Sequence, residues 1–140
     1  MALAGMTGCD VTTSKALTFN IENGDKIKVE MDTTDGYALS NEDGTFKIEK
    51  DDETIVQGIF LTKEMYDSYL TRVHAAKTVT VIEDKLDDQG YLFYEVDEDV
   101  VEYDYLFMVK DTKTGILTAS TKSKEDAAEV FKRLEITKAE

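Results

Sequence analysis

The apolar residues of this chain alternate in short runs broken by Asn, Asp and Gly, and the chain contains no proline. Alternation with a period of two marks a strand with one buried face. Without proline, every tight reversal falls to Gly, Asn or Asp, so the sequence reads as a series of hairpins. In "KALTFNIENGDKIKVEM" the set Leu17, Phe19, Ile21 is answered by Ile27, Val29, Met31. A two-residue Asn23-Gly24 loop would set Ile21 against Lys26. A three-residue loop, Asn23 to Asp25, pairs Ile21 with Ile27, Phe19 with Val29 and Leu17 with Met31, and directly opposed side chains share a face. The pattern therefore predicts a bulged hairpin there. In "GYALSNEDGTFKIEK" a four-residue loop, Asn41 to Gly44, pairs Leu39 with Phe46 and Tyr37 with Ile48.

"TIVQGIFLT" is apolar on both parities, as an inner strand covered on both sides should be, and Gly58 within it marks a bulge or a close backbone approach. The period then changes. In "TKEMYDSYLTRVHAA", Met65, Tyr69, Val73 and Ala76 recur at helical spacing beside Tyr66 and Leu70. Thr62 is placed to cap that helix and Glu64 to meet its positive end. Four further strands read as "TVTVIED", "YLFYEVD", "EYDYLFMVKD" and "GILTAST", with turns at Asp87–Gly90 and around Asp97–Asp99. A last helix starts at Ser123. "SKED" resembles a capping box, and Ala127, Val130, Phe131 and Leu134 form the apolar stripe. The order is roughly four strands, a helix, four strands and a helix. It predicts an α+β fold: a mainly antiparallel sheet of about seven to eight strands with two helices packed on it, α/β/α sandwich-like. Residues 16–138 form a single domain, behind a tether at 1–15.

Charge narrows the partners. Thirty acids against 16 bases give a net charge of −14. Such a chain repels a phosphate backbone, and no Lys/Arg cluster offsets the repulsion, so nucleic acid is not an expected partner. The same field opposes unaided binding to anionic lipid. Because the acids are scattered, they read first as a solvated surface. A single cysteine excludes an internal disulfide and a thiolate zinc site. No apolar run approaches the roughly 20 residues of a membrane span.

Catalytic signals are sparse. No Walker, GxGxxG, GxSxG or HExxH motif occurs, so no cofactor and no metal are expected. His74, the only histidine, falls near the end of the first predicted helix, and its near neighbours offer no acid or nucleophile. "VDEDVVEYD" clusters Asp97, Glu98, Asp99, Glu102 and Asp104, oxygens of the kind calcium takes. The EF-hand pattern nevertheless fails, since its first ligand position falls on Lys85 or Leu39. Aromatics concentrate in two successive strands, with Tyr103, Tyr105 and Phe107 on one face and Leu106 and Met108 on the other. Cross-strand core packing explains them. The alternative is a partly exposed aromatic surface, with Tyr91, Tyr94, Tyr103 and Tyr105 as its ligand-binding residues.

Cys9 lies in "LAGMTGCD". The run "MTGC", after "ALAG", resembles the lipobox of bacterial lipoproteins, with Gly8 and Thr7 in place and Met6 where Leu is usual. The resemblance implies lipid attachment at Cys9 and a location outside the cytoplasm, on the bacterial cell membrane. The apolar stretch before it is shorter than a signal h-region of about 7–15 residues. Residues 1–15 thus read as a signal-peptide remnant followed by the tether "DVTTSK". "FNIENGDKIKVEM", the internal helix and "TGILTASTKSKEDAAEVFKRLEI" together resemble small secreted lipoproteins of the PsbP/Mog1-like fold. That resemblance implies an antiparallel sheet between helical layers and carries over no catalytic residue.

The functional expectation is a lipid-anchored, non-enzymatic module binding a protein, a peptide or a small ligand. Two alternatives stand beside it: a hydrolase or transferase built from scattered carboxylates and His74, and an acidic cation-binding module.

Overall fold

The computed structural model describes residues 13–140, which form ten strands and two helices in two antiparallel sheets. The strands are β1 (Ser14–Asn20), β2 (Lys26–Asp32), β3 (Tyr37–Glu42), β4 (Thr45–Lys50), β5 (Glu53–Thr62), β6 (Val79–Lys85), β7 (Tyr91–Asp97), β8 (Val101–Met108), β9 (Thr114–Ser120) and β10 (Leu134–Lys138). Helix α1 (Lys63–Ala75) joins β5 to β6, and α2 (Lys124–Arg133) joins β9 to β10. The larger sheet has seven strands in the order β3-β4-β5-β9-β8-β7-β6. It is built from two meanders that meet at β5 and β9. All neighbours are antiparallel, so β5 and β6 run the same way and α1 is the crossover between them.

The α+β fold, the seven-stranded sheet and both helices follow the sequence pattern. The first hairpin stands apart from that sheet. Strands β1 and β2 combine with β10 into a second sheet of order β10-β2-β1, so the "EIT" tail is a strand. Its apolar side, Phe19, Ile27, Val29 and Met31, packs on Leu39, Phe46, Ile48 and Ile116 of the large sheet and on Val130 of α2. Helix α1 covers the opposite face over Leu61, Leu92, Tyr94, Leu106 and Leu117.

Two registers differ from expectation by two residues each, and both differences originate in the turns. In the first hairpin Leu17 opposes Val29 and Phe19 opposes Ile27. Five residues, Ile21 to Asp25, make the turn, because the Ile21 amide donates to the Asp25 carbonyl (2.8 Å) and Asp25 donates to Asn23 Oδ1 (2.9 Å). In the second hairpin Leu39 opposes Ile48 and Asn41 opposes Phe46. Only Asp43 and Gly44 form that loop, with φ of 54° and 84°, the two left-handed residues of a type I′ turn. A shift of two preserves the buried face in both cases.

Thr62 caps α1 by accepting from the Met65 amide at 3.1 Å, and Ser123 caps α2 by accepting from the Asp126 amide at 3.0 Å. The inward side of α1 carries Tyr66, Leu70 and Val73, whereas Met65 is 44% exposed. The bulge in β5 falls opposite Ile48/Glu49, ahead of Gly58. Gly58 is the close approach instead: a Cβ there would meet Phe46 Cζ at 2.1 Å. Rigid ring atoms cannot yield that distance. Gly58→Ala is therefore expected to destabilise the fold by about 1–3 kcal/mol, read from the midpoint of urea unfolding. Adding Phe46→Leu should recover part of the loss.

Aspartate supplies most of the left-handed backbone. Asp35, Asp43, Asp51, Asp52 and Asp111 all have positive φ. Asp51 and Asp52 alone connect β4 to β5, because Lys50 pairs with Glu53. Asp52→Gly should raise stability by about 0.5–1 kcal/mol in the same titration, since glycine meets no Cβ penalty in this conformation.

Candidate functional site

Strands β7 and β8 send alternate residues to opposite faces, and this divides the four candidate tyrosines. Phe93 pairs with Tyr105, Glu95 with Tyr103 and Tyr91 with Phe107, all on the side of α2. Tyr105 is buried between two rings: Phe131 stacks on it at 3.9 Å and Phe93 at 4.1 Å, both nearly parallel. Tyr91 packs against Phe131 at 4.9 Å and donates to Glu83 Oε1 at 3.3 Å. Tyr103 is half-buried on the same face. Tyr94 pairs with Asp104 and lies on the opposite face, under α1. The four tyrosines therefore do not form one surface. Three belong to the packing around Phe131, and Tyr94 belongs to a cavity.

That cavity, of about 380 Å³, opens where the last turn of α1 meets the end of the sheet. Arg72, Val73 and Ala76 line it from the helix side, and Thr78 and Val79 from the connection to β6. Its floor is Tyr94, Glu102 and Asp104, with Val96 and Leu117 as apolar wall. Glu98, in the β7–β8 turn, closes one side and accepts from the Thr78 hydroxyl at 3.2 Å. Register places these groups together. Tyr94 is directly opposite Asp104, Val96 opposite Glu102, and the i, i+2 spacing puts both acids of β8 on one face.

Asp104 is the unusual member. It is 3% exposed, and its Oδ1 has no hydrogen-bond partner among the described residues. A buried acceptor left unpaired costs on the order of 1–3 kcal/mol, more if charged. Burial pushes the Asp104 carboxyl up to about 9, and the hydrogen bond and charge of neighbouring Glu102 push the same way; the Tyr94 hydroxyl and the Arg72 charge oppose them. At neutral pH Asp104 therefore carries a proton in the folded chain. Burial, and then the charge of Asp104, also raise the Tyr94 phenol.

His74 is exposed on α1 and is not among the residues that line the cavity. Among the described residues, no three His, Cys, Asp or Glu side chains converge in a metal-binding arrangement. No described helix is long and apolar enough to cross a membrane. Cys9 lies outside the described residues. Searches against family models, curated proteins and solved structures find no match to this chain.

The raised Asp104 carboxyl has a thermodynamic consequence of definite sign. The unfolded chain ionises Asp104 near pH 4, whereas the folded chain holds the proton until about pH 9. Its contribution to stability is complete below the unfolded value and is lost as pH rises through this window. Asp104→Asn should therefore gain stability relative to the parent as pH is raised from about 5 to about 8, by on the order of 4 kcal/mol across that range at ~1.4 kcal/mol per pH unit. Parallel melting curves of the two chains across that range provide the check. A constant difference between them would place the ionisation elsewhere.

Proposed function

We propose that this chain is a non-enzymatic binding domain held outside the bacterial cell membrane by a lipid on Cys9, with its ligand seated in the cavity beneath α1. The observation that carries the binding reading is the unpartnered, buried Asp104 Oδ1 on the wall of a 380 Å³ cavity. Small-molecule sites are concave and furnished with convergent polar groups, and the lining of this cavity is more polar than apolar. Tyr94, Glu102 and Asp104 are such groups, and Val73, Val79, Val96 and Leu117 are the apolar surround. A ligand donor would satisfy the Asp104 oxygen that the protein leaves unpaired.

Anchoring rests on "LAGMTGC" alone, and the PsbP/Mog1-like resemblance belongs to the same proposal on sequence pattern alone. A diacylglyceryl cysteine carries two acyl chains, which suffice for stable attachment where one does not. Binding is preferred to catalysis because no nucleophile–base pair is formed in the cavity and His74 lies off its wall.

Mass spectrometry of the full-length product isolated from its own host tests the anchor. The expected result is a chain beginning at Cys9 with the mass of a diacylglyceryl group added. An unmodified Cys9 with the leader still attached would remove the localisation. The binding half is tested by Leu117→Trp, which fills the cavity from its apolar wall. It should abolish saturable binding of a small ligand while the melting curve stays cooperative.

A further inference from the structure

We propose that the cavity beneath α1 takes a small organic ammonium ion, whose N–H groups are accepted by the Asp104 and Glu102 carboxyls and the Tyr94 hydroxyl oxygen at its floor. The inference rests on the small-ligand reading above and adds the chemical class of the ligand.

Acceptors dominate the polar lining. Asp104, Glu102 and Glu98 bring three carboxyls, and Tyr94 and Tyr69 bring phenols. Asp104 Oδ1 is both buried and unpaired, so it asks for a donor from outside the chain. Of the other polar groups, Thr78 already donates to Glu98, and the Arg72 guanidinium lies 5.4 Å from the Tyr69 ring centroid on the exposed helix surface. The phenol ring of Tyr94 and the side chains of Val73, Val79, Val96 and Leu117 would surround an apolar body attached to the ammonium. A cation beside an aromatic face gains further when water is excluded. A bare metal ion fits less well, because three converging metal-ligand side chains do not occur among the described residues.

Binding should release a proton. The carboxyl of Asp104 is neutral before binding and faces Tyr94 from β7, Glu102 from β8 and Arg72 from α1. An arriving ammonium favours the ionised form, so the Asp104 proton leaves to solvent and the charges pair. Affinity should then rise with pH, approaching about tenfold per unit below the Asp104 pKa.

Three probes of one shape separate the outcomes: phenethylammonium, phenethyl alcohol and hydrocinnamate, each titrated into isotope-labelled full-length chain and followed by backbone amide shifts. Phenethylammonium should move the amides around Tyr94, Glu102 and Asp104 saturably, and the other two should not. Between about pH 6 and about pH 8 its apparent affinity should rise toward a hundredfold. Glu102→Gln should weaken it by about tenfold or more. Arg72→Gln should tighten it, because the competing positive charge is gone. Binding of the alcohol or the carboxylate in preference to the ammonium would overturn the inference and leave the small-ligand reading standing. A weakening by Arg72→Gln would likewise overturn it, by assigning the guanidinium to an anionic group on the ligand. If no probe moves the cavity amides at millimolar concentration, both readings fall.

Discussion

A sheet that is apolar on both faces must be covered on both, and most of this architecture follows from that requirement. β9 is the extreme case: every residue from Thr114 to Thr118 is buried. Six inter-strand gaps of about 4.8 Å make the seven-stranded sheet roughly 29 Å wide. A ten-residue helix such as α2 is only about 15 Å long and about 10 Å across. It covers the β7–β8 half through Ala127 and Phe131, and the small sheet covers the β3–β5 half through Ile27, Val29 and Met31. On the other side α1 spans the centre, and the outward residues of β3 and β4 are polar, Ala38 apart: Ser40, Lys47 and Glu49. Where only one face is covered, the sequence alternates. Where both are covered, it does not.

The small sheet is fixed at both ends by polar groups, which decide its position where apolar contact alone would allow sliding. At one end Asp25 Oδ2 accepts from the Lys113 amide at 2.8 Å and the Thr114 hydroxyl at 2.7 Å, while Asn23 donates to the same hydroxyl at 3.0 Å. The Thr114 hydroxyl, ahead of the charges, holds the Asp25 carboxyl below its ordinary range. At the other end Arg133 closes α2. Its guanidinium reaches Asp35 and Glu129 at 2.8 Å and lies 4.1 Å from the centroid of Tyr37. The side chain is 11% exposed, so this is a packed junction between α2, the end of β2 and the start of β3, unlike the exposed Lys63–Asp67 pair.

Parity was readable from single residues, and register was not. Leu17, Phe19, Ile27 and Val29 share a face whether the turn holds three residues or five, so alternation is blind to a shift of two. The choice lay in turn hydrogen bonds and in φ: "NG" sits inside a wider loop, while "DG" makes the tight turn. Membership of the second sheet was equally hidden, since β10 pairs with β2 across a hundred residues of chain. The cavity left one signal that the acidic surroundings masked. Asp104 has the parity of Leu106 and Met108, an inward position, and an acid at an inward position in a two-sided strand needs a reason. Within "VDEDVVEYD" it looked like one solvated acid among five. Glu98, two turns of pattern away in the β7–β8 reversal, carried no such signal.

The hydrogen bonds of Asp104 with Glu102 and Tyr94 are ones that an amide could also make. Replacing a buried ionisable group with a well-packed neutral one is often neutral or stabilising. Yet here the carboxyl holds its proton against Glu102 and leaves an oxygen unpaired. It does so where α1 runs out before the sheet does, with Arg72, Val73 and Ala76 ending the cover and Thr78 beginning the return. Incomplete cover and an unsatisfied acid coincide at one place. Stability is characteristically given up at sites of function and recovered elsewhere in the fold. On the opposite face of the same two strands the Phe93–Tyr105–Phe131 column stacks, adding stabilising aromatic contact behind the cavity floor.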